Sequence, residues 1–341
     1  MTGQTMAALL AGGLAGAALA LATRGRRYSL SGKVVLLTGG SRGLGLLMAR
    51  QLAAEGARLA LVARNAPDLE RAAGELRRRG AEVLTLPADV GDRLQVEDAV
   101  DATVRHFGAL DVLINNAGVI QVGPLENQRL DDFETAMNVH FWGPLYAVRA
   151  ARPYLERSRG RVVNVASIAG NVAVPHLLPY SASKFALVGL SDGLRAELAK
   201  DGIKVTTVLP WLTRTGSYRN VTVRGQHEEE FAWFAVSDSF PLLTMRGEGA
   251  AKAILDALRR GAPRLILTPY GKVATALDAL FPQLIAAAAA TANRLLPDAA
   301  PGAGTQKGYE SFSALTPGWL TGLSDDAAAR NNQLGGERRR R

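Results

Sequence analysis

Between Lys33 and Ala63 the chain is committed to one kind of local fold. An apolar run, Lys33-Val-Val-Leu-Leu-Thr38, leads into Gly39-Gly-Ser-Arg-Gly43-Leu-Gly45, and then comes a helix-like segment over 46–55, closed by Gly56. A second apolar run, Arg58-Leu-Ala-Leu-Val-Ala63, completes the unit. Uninterrupted apolar runs of this length read as strands buried on both faces, the habit of parallel sheets. Glycines let the backbone approach a pyrophosphate closely, and the helix N-terminus offers free N–H groups and the positive end of a dipole. Gly39, Ser41, Arg42, Gly43, Leu44 and Gly45 therefore form a candidate phosphate cradle.

The alternation continues with a helix over 67–79, a strand over 81–86, Ala88-Asp89-Val90, a helix over 93–107 and a strand over 110–114. Asn115-Asn116-Ala117-Gly118 closes that fourth strand, and small residues there let a cofactor lie close, where open α/β sheets bind ligands. A long helix over 133–155 carries Asn138. Strands over 161–165, 204–209 and 264–268 come after it, the sixth running into Pro210-Trp211. Such regularity predicts an α/β protein with a doubly wound parallel sheet, one catalytic domain over 31–270.

The residue just past the second strand bears on the cofactor. An acidic residue there suits the ribose hydroxyl of NAD, whereas arginine suits a 2′-phosphate. Arg64 holds that position and Arg42 lies within the glycine turn, so NADP(H) is expected over NAD(H). The competing account of Arg64 is a solvated loop arginine.

A second constellation lies further on. Ser167 ends the apolar run 162–168, and Tyr180 and Lys184 stand four apart, on one face of a helix. A phenol titrates near ~10 and is a poor acid or base at neutral pH. An ammonium one turn away is expected to pull that value down, and a serine hydroxyl to hold a substrate oxygen. The combination is an acid/base site for a carbonyl/alcohol pair.

Composition narrows the classes. The 341-residue chain has no cysteine, which excludes disulfides, thiolate nucleophiles and cysteine metal sites; its four histidines show no metal-ligand spacing, and no metal is expected. Of the net charge of +9, Arg24, Arg26 and Arg27 give three and Arg338–Arg341 less Glu337 three more, leaving about +3 on the rest. No basic stripe is interleaved with aromatics, so no nucleic-acid partner is expected.

The two ends differ from the body. Residues 6–22 are uncharged and rich in Ala, Gly and Leu, long enough with their flank to span a bilayer, and arginines come directly after them. Residues 1–30 are expected to be an uncleaved membrane anchor with its basic flank, leaving the catalytic domain on the cytoplasmic side. The alternative is a soluble, alanine-rich helix on a cytoplasmic protein. Residues 271–296 read as an Ala/Leu-rich helix, interfacial or packed, since Asp278 and Pro282 argue against a span. From 297 to 341 Gly, Pro, Ser, Asp and Asn read as a poorly ordered tail.

The motifs Thr38-Gly-Gly-Ser-Arg-Gly-Leu-Gly45, Asn115-Asn-Ala-Gly118, Ser167 and Tyr180-x-x-x-Lys184 stand in the order of the short-chain dehydrogenase/reductase family, and residues 31–270 resemble it. The resemblance implies a Rossmann fold and a catalytic group of Asn138, Ser167, Tyr180 and Lys184, with Asn138 holding a water that connects Lys184 to solvent. It places Asp89 and Val90 at the adenine, Asn116, Ala117 and Gly118 along the cofactor, and Pro210, Thr213 and Thr215 around the nicotinamide amide. Tyr180 and Lys184 face the nicotinamide ribose. One departure is Trp211, where the family usually has glycine. An anchor with basic residues behind it is similar to membrane-bound members acting on lipophilic alcohols and ketones.

Residues 211–245 are expected to form the substrate loop. Their apolar side chains, among them Val221, Phe231, Trp233, Phe234 and Phe240, either line a lipophilic pocket or pack a lid onto the domain. Small residues on the helix over 180–200 (Ala182, Ala186, Gly189, Gly193) suit either a homodimer or homotetramer interface or ordinary core packing. The expected function is NADP(H)-dependent interconversion of a small lipophilic ketone or aldehyde and its alcohol. The alternatives are a membrane-tethered NADP(H)-binding scaffold without turnover and a reductase of carrier-bound 3-oxoacyl groups.

Overall fold

The computed structural model describes residues 28–240, 244–314, 316, 318 and 321–334. Seven parallel strands form its centre: β1 (Val34–Thr38), β2 (Arg58–Ala63), β3 (Val83–Pro87), β4 (Val112–Asn115), β5 (Arg161–Val165), β6 (Lys204–Leu209) and β7 (Arg264–Ile266). Their order across the sheet is β7-β6-β5-β4-β1-β2-β3. The order reverses at β1, whose Leu36 pairs with Ala60 of β2 on one side and Leu113 of β4 on the other. In open α/β sheets ligands bind at that reversal, beyond the carboxyl ends of the strands.

The helices are α1 (Gly43–Ala54), α2 (Ala66–Arg77), α3 (Arg93–Phe107), α4 (Leu130–Met137), α5 (Gly143–Ser158), α6 (Leu178–Glu197), α7 (His227–Ser237), α8 (Gly247–Arg260), α9 (Pro269–Leu280), α10 (Pro282–Asn293) and α11 (Gly322–Arg330). Met48 and Leu52 of α1, Leu69 and Leu76 of α2, and Ile254 and Leu258 of α8 bury one sheet face. Val96 and Val100 of α3 with Val148, Ala151 and Leu155 of α5 bury the other. Every residue of β1 is buried, as its unbroken apolar run requires. Truncating a core leucine such as Leu61 to alanine would cost about 2–5 kcal/mol.

Three elements depart from the sequence reading. The long helix over 133–155 is broken: α4 ends at Met137, a wide π turn spans Asn138–Trp142, and α5 begins at Gly143, whose N–H donates to the Asn138 carbonyl. Pro144 has no N–H to donate to the carbonyl four residues back, and its ring crowds that oxygen, which opens the turn. The stretch 271–296 is two helices bent by 116°, with Pro282 starting the second. Among the described residues no single helix is long and apolar enough to cross a membrane. The anchor expected at 6–22 lies outside the described residues.

The third departure is the segment expected to be a poorly ordered tail. Gln306–Lys307 pairs antiparallel with Thr222–Val223, which pairs in turn with Gln121–Val122. Ala327 and Ala328 of α11 are buried, and Gly216 meets Ala328 so closely that a Cβ there would clash. Small side chains, which make a segment look structureless in composition, are what allow this approach.

Candidate active site

The carboxyl ends of β1, β2, β4, β5 and β6 open into one cavity of about 1110 Å³. Gly39, Ser41, Arg42, Gly43, Leu44, Gly45, Arg64, Asp89, Val90, Asn116, Ala117 and Gly118 line one part of it. Ser167, Tyr180, Lys184, Pro210, Thr213 and Thr215 line the other. The glycine turn is tight for a reason: a Cβ on Gly45 would run into the Gly39 carbonyl, and one on Gly39 would stand 2.9 Å from the Ala117 Cα. Thr38 fixes the facing strand end, its Oγ1 accepting from the backbone N–H groups of Asn116 (3.0 Å) and Ala117 (3.1 Å). The floor is thus a narrow trough of backbone, shaped for an extended phosphate-bearing ligand.

Arg42 and Arg64 mark one end of the trough. Arg64 is exposed and lies 3.8 Å from Asp89. Arg42 is half-buried, donates to the Asn220 side-chain carbonyl at 2.9 Å, and has no carboxylate within ion-pair distance among the described residues. Burial first, with Arg64 adding and Asp68 opposing, holds its guanidinium below the usual arginine range. A cation enclosed with only a neutral amide beside it suits an anionic ligand.

At the other end α6 carries Tyr180 and Lys184 to the end of β5. Lys184 is buried; its Nζ donates to the Val165 carbonyl at 2.9 Å and stands 5.6 Å from the Tyr180 ring centroid. Burial lowers its ammonium from the ordinary lysine value to about 7. The expected lowering of the Tyr180 phenol by Lys184 is not the outcome. Burial raises it, Asp238 adds to the rise, and the Ser167 hydroxyl pulls the other way. In the protein alone, desolvation is the largest influence on the phenol.

Asn138 does not join this group. Its side chain is exposed at the start of the π turn and does not line the cavity. Two positions on, His140 turns inward instead, fully buried, its ring set edge-on to Tyr180 at 5.5 Å. Its Nε2 accepts from the Val119 N–H at 3.2 Å and its Nδ1 lies 2.8 Å from Ser183 Oγ, so the partners require the neutral tautomer with the proton on Nδ1. Burial and then the Lys184 charge hold His140 well below its ordinary value. Two helical positions are about 200° apart, so choosing 138 instead of 140 faces the opposite side. The inward residue escapes a sequence reading because a histidine there has no signature of its own.

The wall beyond Tyr180 comes from the 211–245 segment. Val221, Val223, Phe231 and Phe234 pack with Tyr218, Val122 and Leu177 into a separate small core, while Trp233 and Phe234 also line the cavity. These side chains thus pack against one another and contribute to the cavity wall. Glu230 on α7 meets His176 at 2.7 Å and accepts from the Trp233 indole at 2.7 Å, tying α7 to the approach of α6. Asp238 also lines the cavity; its Oδ2 has no hydrogen-bond partner among the described residues, and burial holds its carboxyl well above the usual range, Arg214 opposing. Asp238, Asn220, Lys307 and Gln333 are absent from the sequence reading because each reaches the cavity from a segment without a local motif.

The trough, the reversed sheet order and the serine, tyrosine and lysine at the end of β5 and on α6 define a dinucleotide-dependent oxidoreductase acting on CH–OH or C=O. A family model described as short chain dehydrogenase matches residues 33–224, and the chain belongs to that family. It is 38% identical over 231 residues to 11-beta-hydroxysteroid dehydrogenase-like 3 of Arabidopsis thaliana, covering 67% of this chain and 71% of that protein. Putative oxidoreductase SadH of Mycobacterium tuberculosis is 34% identical over 74% of this chain and 91% of its own length. Among solved structures, L-sorbose reductase from Gluconobacter frateurii, complexed with NADPH and L-sorbose, superposes with a TM-score of 0.63 at 25% identity, covering 70% of this chain and 95% of that one. A blue fluorescent protein from a metagenomic library, in complex with NADPH, gives 0.60 at 30% identity, covering 70% and 97%.

Proposed function

We propose that the protein is an NADP(H)-dependent reductase or dehydrogenase that interconverts a small lipophilic ketone or aldehyde and its alcohol beside a membrane. One observation carries the reading: a single cavity joins the Arg42–Arg64 end, through the glycine trough, to Ser167, Tyr180 and Lys184 under an apolar wall. The residues fit the cofactor: the glycine turn leaves no room for a Cβ at Gly39 or Gly45, so bare backbone faces the trough, and Arg42 is a half-buried cation without a carboxylate partner among the described residues. Arg42 and Arg64 would hold the 2′-phosphate. Bound nicotinamide supplies or accepts the hydride.

The chain's own residues manage the proton. In reduction Tyr180 gives its phenolic proton to the substrate oxygen while Ser167 holds that oxygen by hydrogen bond. Lys184, fixed by the Val165 carbonyl, places its ammonium beside the phenol that loses the proton. His140 braces the Tyr180 ring from the side. Ile168, Val172, Val174, Leu177, Trp233 and Phe234 give the substrate end its apolar lining, which favours a lipophilic molecule. The names of the hydroxysteroid dehydrogenase relatives accord with such a substrate.

The test is absorbance loss of NADPH, with NADH in parallel, against a panel of ketones and aldehydes of rising apolar area. Turnover that increases with apolar area and prefers NADPH is the expected result; no turnover on any carbonyl overturns the reading.

The membrane reading has support beyond the uncharged 6–22 stretch. On α9 and α10 Tyr270, Val273, Leu280, Phe281 and Leu284 are exposed together, the surface of an interfacial helix pair. Flotation of the purified protein with anionic liposomes checks this. A homodimer or homotetramer is proposed through α5 and α6, where Trp142 and Phe185 are exposed and Gly189 and Gly193 face open space. Light scattering at micromolar concentration gives the state directly.

A further inference from the structure

The phosphate end of the cavity is not built from the nucleotide-binding half alone. Lys307, 243 residues beyond Arg64 in sequence, reaches the cavity rim from the short strand that pairs with Thr222–Val223. Its Nζ donates to Thr222 Oγ1 at 3.0 Å, and its backbone N–H donates to Glu310 Oε2 at 3.0 Å. Burial first, then the positive charges of Arg64 and Arg42, lower its ammonium from the ordinary lysine value, with Glu310 opposing. Three cations therefore line one end of the trough, with Arg42 and Arg64 both disfavouring the charge on Lys307.

The same C-terminal segment is fastened across the glycine turn by neutral groups. The Gly43 N–H donates to the Asn331 carbonyl at 2.9 Å. Asn332 Nδ2 donates to the Ser41 carbonyl at 2.9 Å and the Asp68 carbonyl at 3.1 Å. Asn220 Nδ2 donates to Gln333 Oε1 at 2.8 Å while its Oδ1 accepts from Arg42. Amides position Arg42 and close the turn without adding a carboxylate to it. A rim that gathers three cations, with Asp89 at 3.8 Å from Arg64, suits a doubly charged anion.

We propose that residues 306–307 and 331–333 are an integral part of the dinucleotide site, with Lys307 a cofactor-specificity residue that gives a 2′-phosphate its third cation and Asn331–Gln333 fastening the C-terminal segment over the glycine turn. The proposal rests on the NADP(H) reading above and goes beyond it, since this segment lies past the residues the family model matches. A 2′-phosphate would meet Lys307, Arg42 and Arg64 together; the 2′-hydroxyl of NAD(H) would leave Arg42 with only the Asn220 amide and Lys307 with only the Thr222 hydroxyl.

The experiment is a binding titration without substrate, following nicotinamide fluorescence on the full chain and on Lys307→Gln and Lys307→Arg. Loss of one charged contact predicts about tenfold weaker NADPH binding by Lys307→Gln, with NADH affinity within about twofold and NADPH affinity kept by Lys307→Arg. Equal weakening toward both cofactors marks Lys307 as a structural prop and overturns the proposal, as does an unchanged NADPH affinity. Fluorescence of the Lys307→Arg chain keeps the test decisive where Lys307→Gln folds poorly. If the unaltered protein shows no preference for NADPH, the cofactor reading fails and takes the proposal with it. If that preference is undiminished in Lys307→Gln, only the proposal fails.

Discussion

The floor and the roof of the cavity are made by different means. The floor consists of strand ends, Thr38–Gly45, Asn115–Gly118 and Val165–Ser167, held by a sheet whose core positions are wholly buried. Buried polar bonds brace it: Asn115 donates to Asn164 at 2.9 Å, and Asn164 donates to Ser191 at 3.0 Å. The roof, from 217–238, 306–314 and 321–333, is tied to the floor by amide and guanidinium bonds spanning up to 291 residues, such as Asn332 to Ser41. Apolar packing gives the floor its rigidity, and the reacting groups sit there. The roof has a small apolar core of its own around Tyr218, Val223 and Phe231, and individually weak, partly exposed bonds fasten its C-terminal part to the floor, as suits a part that a cofactor must pass.

Four measurements would break or sharpen that contrast. Tyr180→Phe should lower kcat by about 10³-fold while NADPH binding persists, since the floor keeps its shape but loses its acid. Turnover near that of the unaltered enzyme would remove the phenol from the chemistry.

Lys184 is the floor's buried charge, and its folded value of about 7 lies below the unfolded lysine range. Between about pH 7 and pH 10 the unfolded chain thus binds more protons than the folded one, so stability rises with pH across that window. The cofactor-free protein should gain roughly 3–5 kcal/mol there, and Lys184→Met should abolish the gain. Urea denaturation at stepped pH reads this out, and a flat profile in the unaltered protein would show Lys184 to be well solvated.

His140→Ala should cost at least about tenfold in kcat because the Tyr180 ring loses its brace, whereas Asn138→Ala should stay within about twofold. The reverse ranking would restore Asn138 to the site. The smallest effect belongs to the roof. Asn220→Ala removes the bonds to Arg42 and Gln333, and thermal unfolding should report a loss of only about 1 kcal/mol. A loss several times larger would mean that roof and floor unfold as one unit.

The floor is legible in the sequence and most of the roof is not. Apolar runs such as Val34–Leu37 can only be buried strands between helices, and the glycines of 39–45 act within their own turn, so local reading suffices. Tyr180 and Lys184 are legible because a helix fixes their spacing. Asn138 rests on the resemblance alone, and Pro144 opens the expected helix beside it, leaving its side chain exposed and away from the cavity. Lys307, Asn331 and Gln333 act on residues hundreds of positions away through partners that only tertiary packing chooses. Their small, polar surroundings look like a tail until the surface they cover is known.

The bond from Asn331 to Gly43 also orders events in time. During synthesis the glycine turn leaves the ribosome long before the strand of chain that covers it. A nascent molecule can therefore form its sheet and bind dinucleotide loosely well before its cover exists. Retention of the cofactor becomes a late step of maturation, and a fusion partner joined close behind Gln333 would be felt first at Gly43 and Ser41, at the opposite end of the sequence.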